Sequence, residues 1–349
     1  MLISPLLLQS KAAFTIANVA DGTEALATAE VARTMFKSGV DIPALALVVA
    51  RDAVRAASIE QGLAFFAPEM EIFSFPAWDC QPYDRASPNA SVLAKRMGTL
   101  SRLVRSRGGE RPRVVITTAN ALVQRVPPVG WVSAQALAAA SGNALDMDDL
   151  TRWLEHNGFV RTATVRDAGE YAIRGGIIDL YAPGLMGPIR LDFFGDTLES
   201  IRSFDPETQR SISPLAMLEL IPMSEFQMTS DAIRRFRQGY VASFGAATKG
   251  DLLYEAISEG RRYPGMEHWT PLFHDRMSRL TDYVPGAAII LDSMVLNAAK
   301  ERLTQAADYY TNRKTGLEAV APGAVPYKPL APETLYWTTA ALGALESPS

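Results

Sequence analysis

Residues 18–25 lie where a nucleotide-binding protein places its phosphate loop, between a predicted strand and a predicted helix. The apolar residues 14–19 predict the strand, and the Ala-rich residues after the loop predict the helix. A phosphate loop has the sequence G-x-x-x-x-G-K-[ST]. Its glycines let backbone N–H groups face the phosphates, its lysine neutralises them and its hydroxyl binds magnesium. The corresponding residues here are N-V-A-D-G-T-E-A, so phosphate binding is the first chemistry to consider.

All four diagnostic positions of the phosphate loop have lost the residue that they need. The glycine positions hold Asn18 and Thr23, and the Ser/Thr position holds Ala25, which cannot bind magnesium. The lysine position holds Glu24. A carboxylate about 4 Å from a phosphate charge costs on the order of 4 kcal/mol at an effective dielectric of about 20, where a lysine would gain about as much. The residues therefore predict a plain strand-loop-helix turn, with no bound nucleotide or other cofactor.

Few other residues have the types and spacing for catalysis or metal binding. Glu267, His268 and His274 are grouped in GMEHWTPLFH, but their spacing is not that of a metal site. We expect His268 to be a hydrogen-bonded structural residue. No nucleophile has a matching base in the sequence, so we predict no catalytic residue and no metal ligand.

The composition is that of an ordinary soluble globular protein. The 349 residues are 48% hydrophobic and 21% charged, which is enough for a sizeable core. The net charge of -4 provides no basic field for nucleic acid, and a single cysteine excludes a disulfide framework. The opening MLISPLLLQSK is too short for a membrane-spanning helix and lacks the features of a signal peptide. We therefore expect a cytoplasmic protein with no membrane partner.

Up to about residue 124 the chain alternates predicted strands and helices. Residues 43–49 (PALALVV) predict a buried strand, and residues 113–122 (RVVITTANAL) predict a second buried strand that leads into a helix. Between them, residues 91–104 (SVLAKRMGTLSRLV) have helical spacing, with Lys and Arg on the polar face. This alternation predicts a mostly parallel sheet covered by helices.

A different pattern follows residue 125. Residues 147–159 predict a helix, and residues 171–205 predict an antiparallel meander whose turns are marked by Gly and Pro. Later in the chain, residues 287–292 (AAIILD) predict another buried strand.

The predicted fold class is α/β, with one domain interrupted by another. Residues 1–124 and 206–349 would form the α/β domain, and residues 125–205 would form a small α+β insert with an antiparallel sheet. We find no internal repeat and no low-complexity tract that would suggest a different organisation.

Several segments, taken together and in order, resemble a known family. They are FPAWDCQPYDRASPNASVLAKRMGTLSRL (75–103), EYAIRGGIIDLYAPG (170–184), IRLDFFGDTLESIRSFDPETQRS (189–211) and YPGMEHWTPLF (263–273). They resemble the N-terminal module of the bacterial transcription-repair coupling factor (Mfd), which is itself similar to the excision-repair protein UvrB. The resemblance implies that the α/β domain is RecA-like, a degenerate form of a helicase-type domain.

The resemblance also implies that the nucleotide site has decayed at two motifs. UvrB has a working phosphate loop at the first turn, whereas coupling factors have a decayed copy. UvrB also has a D-E-S-H box, whose Asp holds magnesium and whose Glu helps to activate water. Here Asp292 is kept, but Ser293 and Met294 follow it.

A third departure from UvrB lies in residues 75–95. UvrB has a long aromatic hairpin in this region that clamps damaged DNA, whereas this segment is short, Pro-rich and without a second strand. Trp78 and Tyr83 could stack on bases, but aromatic residues in such a loop usually pack onto their own domain, as we expect here. DNA clamping is therefore not predicted.

The insert is the remaining candidate for a function. In both families it resembles the platform that binds UvrA, and the matching motifs carry over three binding residues, Arg174, Arg190 and Phe194. Two arginines and an aromatic ring on one small sheet have the composition of an interface hot spot.

The alternative for these arginines is an ion pair within the chain. Glu170, Asp192 and Asp196 are near Arg190 in sequence and could pair with it. If the arginines instead bind a partner, charge reversal at Arg174 or Arg190 is expected to abolish UvrA binding while the fold survives.

Two features of the insert favour a protein partner over DNA. Phe193 and Phe194 are consecutive in a predicted strand, so one of them must be exposed or covered by something else. Residues 125–205 also hold seven Arg and no Lys against eleven Asp plus Glu, so the insert is acidic overall.

The resemblance therefore implies a non-catalytic protein-recognition module that recruits UvrA in transcription-coupled nucleotide excision repair. RNA polymerase and DNA would be partners of the rest of a longer protein, and ATP and magnesium would belong to a motor downstream. The alternatives are a residual ATP-binding domain and a DNA-binding, helicase-like domain.

Overall fold

The computed structural model describes residues 14–17, 19–20, 22–37, 45–105, 111–246, 250–318 and 327–346. Its strands are β1 (Leu45–Ala50), β2 (Glu71–Phe75), β3 (Arg113–Thr118), β4 (Leu137–Ala140), β5 (Val160–Arg161), β6 (Glu170–Arg174), β7 (Ile177–Leu180), β8 (Ile189–Phe194), β9 (Thr197–Phe204), β10 (Ser211–Leu215), β11 (Met217–Leu220) and β12 (Ala288–Leu291). Its α-helices are α1 (Glu24–Lys37), α2 (Ala53–Phe66), α3 (Ala90–Arg105), α4 (Ala119–Leu122), α5 (Val129–Ala134), α6 (Met147–His156), α7 (Ser230–Phe244), α8 (Leu252–Ser258), α9 (Val295–Glu318), α10 (Pro332–Leu335) and α11 (Thr339–Glu346). Short 3-10 helices cover Met266–Phe273 and Leu280–Tyr283. Within these ranges, no helix has the length and apolar character that crossing a membrane requires.

A four-stranded parallel sheet forms the centre of the α/β body. The strand order is β12-β1-β3-β2, and Val48 of β1 is in register with Ile116 of β3 and Ile290 of β12. Every residue of β1 and β3 is buried. Because β1 is buried on both faces, it needs apolar residues at every position, which explains the unbroken run LALVVA. Both predicted buried strands are thus confirmed, although residues 43 and 44 lie outside the described ranges.

Helices cover both faces of the parallel sheet. α1 and α2 pack on one face through small side chains, among them Ala29 and Ala32, around Leu63. The other face packs against α3, α7 and α9 in a larger core that contains Phe73 and Phe75. The helix that the Ala-rich segment predicts after the loop is confirmed as α1.

Two predictions about strands are wrong. Residues 14–17 form no strand and Phe14 is exposed, while Asn18 lies outside the described residues. β12 is not a buried strand but an edge strand, which pairs only with β1 and keeps all its residues partly exposed. Within the described chain no strand pairs with the outer edge of β12, so this strand is buried less than β1 and β3.

The insert is built on a six-stranded sheet with the order β10-β9-β8-β7-β6-β5. β6 to β10 pair antiparallel, which confirms the predicted meander, and β5 joins β6 in parallel. A bulge lies between the pairs Asp192↔Ser200 and Phe193↔Leu198, which leaves Glu199 without a partner on β8. Such a bulge increases the local twist of the strands next to the turn at 195–196.

One face of the insert sheet packs against α6. Leu150 and Leu154 of this helix lie in a core with Ile178, Leu191 and Ile201 from the sheet. We call the opposite side of the same sheet the outward face. Alternate residues along each strand therefore belong to the core or to the outward face.

The antiparallel strands continue past residue 205. β10 pairs with β9 through Leu215↔Ile201, and β11 pairs with β4 through Leu218↔Ala139. The predicted domain boundaries at residues 125 and 205 stay predictions, but the last strands that belong with the insert lie beyond the second boundary.

Helix α3 lies between the body and the insert. Met97 packs in the core of the body, whereas Ala94 packs in the core of the insert. At Gly98 the helix meets the loop between β7 and β8 so closely that a Cβ there would lie 3.2 Å from the backbone nitrogen of Gly184. The helix is therefore packed from both sides and fixes the orientation of the insert against the body.

Arg96 of α3 is fully buried and forms an ion pair with Glu225, which is also buried. Its Nη1 donates to the carbonyl oxygen of Pro76 at 2.9 Å, and its guanidinium lies 4.3 Å from the ring centre of Phe75. The prediction that the Lys and Arg residues of this helix lie on a polar face is therefore wrong for Arg96. The reason is that helical spacing distinguishes the apolar face of a helix from its polar face, but it does not show whether other parts of the protein pack on the polar face.

The segment between β2 and α3 is an irregular loop without a second strand. Trp78 and Tyr83 are both buried, as predicted. The Tyr83 hydroxyl donates to the carbonyl oxygen of Leu330 at 2.9 Å, and Trp78 Nε1 donates to Glu225 Oε1 at 3.3 Å. These two rings are packed within the body and are not presented to bases.

Candidate functional site

Paired residues on neighbouring strands define the outward face of the insert. One row is Arg174, Ile177, Asp192 and Ser200, and the next row is Asp179, Arg190, Arg202 and Pro214. Phe194 belongs to the same face because it lies two residues after Asp192 on β8. The structure thus brings the three predicted residues, Arg174, Arg190 and Phe194, together on one face of one sheet.

Arg174 ends β6 with an exposed side chain. Its Nη2 donates to the carbonyl oxygen of Ala163 at 2.6 Å and to Thr164 Oγ1 at 3.2 Å. Both acceptors are neutral, so the guanidinium keeps its full charge for a partner. The two hydrogen bonds also restrict its rotamers, which lowers the entropy cost of binding.

Two glycines form the turn that follows Arg174. Gly175 has φ of +59°, a conformation that side chains with a Cβ rarely adopt. A Cβ on Gly176 would lie 2.8 Å from the carbonyl oxygen of Phe193. The paired glycines therefore let the turn between β6 and β7 approach the end of β8 closely, one strand away from Arg174.

Arg190 forms a bidentate ion pair with Asp179 on the neighbouring strand. Nε and Nη2 donate to the two carboxylate oxygens at 2.7 and 2.8 Å, and the guanidinium lies 5.0 Å from the ring centre of Phe204. The hydrogen bonds to Asp179 raise the pKa of Arg190. The alternative of an internal ion pair is therefore correct for Arg190, but the partner is not one of the acids nearest in sequence.

The buried carboxylate of Asp179 changes what charge reversal at Arg190 can test. Asp179 is only 2% exposed, so a glutamate at position 190 would place a second carboxylate beside a buried one. Breaking a buried pair costs about 3–5 kcal/mol, because it leaves an uncompensated charge. The expectation that the fold survives charge reversal at Arg190 therefore conflicts with the structure, whereas Arg174 has no acidic partner among the described residues.

Phe194 is 76% exposed, while its neighbour Phe193 packs against the core of the insert. The prediction that one of the two rings is exposed is confirmed. The ring lies at the end of β8, directly before the turn at Gly195 and Asp196, and pairs across to Thr197. A large exposed ring on the same sheet face as arginines is the arrangement expected of an interface anchor.

Sequence reasoning missed two residues of this face, Asp179 and Arg202. Asp179 is a single acid in the apolar run IIDLY, and Arg202 occupies a polar position of the alternating run LESIRSF. Both signals were present in the sequence, since an acid in a buried strand requires a partner and an alternating strand exposes every second residue.

At the turn that resembles a phosphate loop, Glu24 is the first residue of α1. Arg55 of α2 binds its carboxylate and also binds Asp292, with Nε 2.9 Å from Oδ2 and Nη2 3.2 Å from Oδ1. One guanidinium thus joins the residue in the lysine position to the residue that corresponds to the magnesium-binding Asp of UvrB. We call these three residues the Arg55 bridge.

The backbone of the loop is also bound by Glu24. The N–H of Gly22 donates to Glu24 Oε2 at 2.9 Å, so a carboxylate takes the place where a phosphate oxygen would accept. Burial raises the pKa of Glu24, but the hydrogen bonds from Arg55 and from the backbone outweigh it, and the net pKa is lowered. This carboxylate is therefore ionised at neutral pH and repels anions.

We expect Arg55→Ala to lower the free energy of unfolding by about 2 kcal/mol at pH 7, because it removes charged hydrogen bonds to Glu24 and Asp292. The pKa of Glu24 is lowered in the folded protein, so the contribution of the bridge is present above the ordinary pKa of 4.5 and is lost as the pH falls through the lowered value. The difference between wild type and variant should therefore shrink below pH 4.5. Urea unfolding at a series of pH values measures it.

Arg51→Ala is the matched control for the Arg55 bridge. Arg51 pairs with Asp52 at 3.3 Å, but both side chains are about half exposed, and such surface pairs contribute little. Equal stabilities for the two variants at pH 7 would show that the bridge does not hold the body together.

Glu267, His268 and His274 are buried. His274 Nε2 lies 2.8 Å from the carbonyl oxygen of Glu225. Neither ring nitrogen of His268 has a hydrogen-bond partner in the described chain, so the expected hydrogen bond is wrong and the ring is instead packed between Trp78 and Tyr83. Burial lowers the pKa of His268 to about 3, which keeps it neutral. Over the ranges that the structure covers, no three His, Cys, Asp or Glu residues are grouped as metal ligands.

Comparison with known proteins gives two kinds of match. The family described as UvrB interaction domain matches residues 137–226. The chain is 36% identical over 275 residues to the transcription-repair-coupling factor of Rickettsia bellii, covering 79% of this chain and 24% of that protein. The chain is 31% identical over 301 residues to the factor of Haemophilus influenzae, covering 86% of this chain and 25% of that protein. It is 30% identical over 293 residues to the factor of Escherichia coli, covering 83% of this chain and 24% of that protein. The chain thus spans 24–25% of the length of these curated relatives.

The fold and the matched domain define a protein-interaction module, in which an α/β body carries a UvrB interaction domain. The similarity to coupling factors runs through 79–86% of the chain and includes the body as well as the insert. The chain is therefore similar to the transcription-repair coupling factors over most of its own length, which confirms the resemblance to their N-terminal, UvrB-like module inferred from the motifs.

Proposed function

We propose that this chain is a non-catalytic recognition module that recruits UvrA in transcription-coupled nucleotide excision repair. The outward face of the insert would form the binding surface, with Arg174 and Arg190 as cationic contacts and Phe194 as the apolar anchor. Binding would require no nucleotide, since Glu24 already occupies the loop amide and binds Arg55.

One observation carries this proposal above the others. Phe194 is 76% exposed on a sheet whose other face is a packed core, and it shares its face with arginines within a domain that matches the UvrB interaction family. Hot spots combine a large aromatic residue and arginines near the centre of an interface. An exposed ring of this kind has no role in the stability of the insert itself.

The α/β body would then serve as a scaffold. We propose that it is a RecA-like domain whose two nucleotide motifs have been replaced by the Arg55 bridge, and that the insert interrupts it between about residues 125 and 226, the end of the family match. Contacts with RNA polymerase and DNA, and the use of ATP and magnesium, would belong to other parts of a longer protein, as would any masking of the outward face.

The proposal is tested by UvrA binding to Arg174→Glu. We expect the affinity to fall at least 30-fold, or about 2 kcal/mol, because a guanidinium that meets partner carboxylates becomes a like charge. The thermal midpoint should not change, since Arg174 bonds only neutral acceptors at the surface. Isothermal titration with purified UvrA measures the affinity.

Arg152→Glu is the matched control for this experiment. Arg152 is exposed on α6, which packs on the opposite side of the same sheet. Its reversal changes the net charge of the insert by the same amount without touching the outward face. Equal loss of binding in both variants would indicate a general charge effect, and unchanged binding by Arg174→Glu would overturn the proposal.

A further inference from the structure

The outward face contains a third arginine that neither the motifs nor the matched family assigns to binding. Arg202 lies on β9, directly opposite Arg190 on β8, and 46% of its side chain is exposed. Like charges directly opposite each other on neighbouring strands are destabilising. A sheet that places Arg190 and Arg202 side by side therefore has to compensate for their repulsion.

The compensation comes from one carboxylate for each guanidinium. Arg190 is held by Asp179, and Arg202 Nη2 donates to Asp192 Oδ2 at 2.8 Å. Ser200 supports the second pair, because its Oγ accepts from Arg202 Nε at 3.2 Å while its hydroxyl donates to Asp192. The same arrangement thus occurs twice: in each case an arginine forms an ion pair with an aspartate of the neighbouring strand.

The two pairs differ in what they leave exposed. The two acids are the less exposed members, with side chains 2% exposed for Asp179 and 20% exposed for Asp192. Of the two arginines, Arg202 is more exposed than Arg190, at 46% against 18%. Nη1 of Arg202 has no hydrogen-bond partner among the residues that the structure describes. Nη1 is therefore available to an external acceptor.

We infer that Arg202 is a further partner-contacting residue and that Asp192 is its positioning residue. The surface that this face fits is then an acidic patch, with carboxylates for Arg174, Arg190 and Arg202 and an apolar pocket for Phe194. Fixed guanidinium groups match carboxylates bidentately, so preorganisation by the acids favours this partner chemistry. The inference rests on the proposed function, since it assigns more of the same surface.

The test uses the whole chain and purified UvrA. Arg202→Gln is expected to weaken binding about 10-fold, and Arg202→Lys, which keeps the charge but not the fork, is expected to recover part of that loss. Because a charge pair steers association, the association rate of Arg202→Gln should also depend less on salt concentration than that of wild type.

Asp192→Asn tests the positioning role of the acid. It keeps a side chain that can hydrogen-bond to Ser200 but removes the carboxylate under Arg202, so affinity should fall about 3- to 10-fold while the salt dependence of association stays at least as strong as in wild type. A role in the fold alone would change the thermal midpoint and leave both binding readouts unchanged.

The outcomes separate this inference from the function on which it rests. If Arg202→Gln and Arg202→Lys bind like wild type while Arg174→Glu does not, Arg202 is outside the interface and the inference is overturned, but the proposed function stands. If wild type shows no binding to UvrA, both are overturned. Loss of binding by Arg202→Gln with an unchanged thermal midpoint supports the extended surface.

Discussion

Phe194→Ser is expected to weaken UvrA binding about 100-fold and to leave the free energy of unfolding within about 0.5 kcal/mol of wild type. The ring is 76% exposed, so its removal creates no cavity in the chain. In the complex it would lose both the apolar area that a partner pocket buries and the exclusion of water from the neighbouring guanidinium groups.

Phe193→Ser is the matched partner of this variant. Phe193 precedes Phe194 but packs against the core of the insert, so its loss should destabilise the protein by about 2–4 kcal/mol. Titration with UvrA and urea unfolding, applied to both variants, give opposite patterns if the assignment is right. Full UvrA affinity in Phe194→Ser would remove the apolar anchor from the proposed surface.

Arg96→Met is expected to lower the free energy of unfolding by about 3–5 kcal/mol, the largest effect on stability that we predict. Arg96 and Glu225 are 0% and 1% exposed, and methionine would leave the Glu225 carboxylate buried without its cation. The backbone acceptor at Pro76 would lose its donor as well.

The double variant Arg96→Met with Glu225→Leu separates the pair from its packing. Replacing both charges by apolar groups is often close to neutral, so the double variant should recover most of the stability that the single variant loses. Urea unfolding followed by circular dichroism measures all three proteins. A double variant no more stable than Arg96→Met would mean that the carboxylate is not the source of the penalty.

The elements with a clear local pattern could be predicted from the sequence. Short β-rich apolar runs predicted β1 and β3, the Gly and Pro turns predicted the meander of β6 to β9, and helical spacing predicted α3. Each of these patterns reflects burial of the segment's own residues. The segment at 14–17 has the right composition for a strand but forms none, which composition alone cannot show.

The ion pairs that organise the structure could not be predicted in the same way. Arg55 and Asp292 are 237 positions apart and Arg96 and Glu225 are 129 apart, so no local pattern relates them. An arginine in a helix has the same sequence signature whether it faces water or a buried acid. Whether the arginine is exposed or buried depends on which other elements pack against that side of the helix.

The candidate site shows a similar division. Arg174, Arg190 and Phe194 came from a resemblance of motifs, and alternation along β8 already required one exposed phenylalanine. The register between strands could not be predicted from the sequence, and it is this register that pairs Asp179 of β7 with Arg190 of β8. That register decides at which arginine the charge can be reversed without destabilising the fold. Arg174 is therefore the better position for a charge-reversal experiment.

The Arg55 bridge has a consequence for the way the body responds to its surroundings. A domain that is held together by a bound nucleotide gains stability in proportion to the logarithm of the ligand's free concentration, and so reports on the energy supply of the cell. Here the cation that joins α1, α2 and β12 is covalently attached to the chain, at an effective concentration that never changes. Under the proposed function, the stability of the scaffold that presents the outward face would not depend on the concentration of nucleotide.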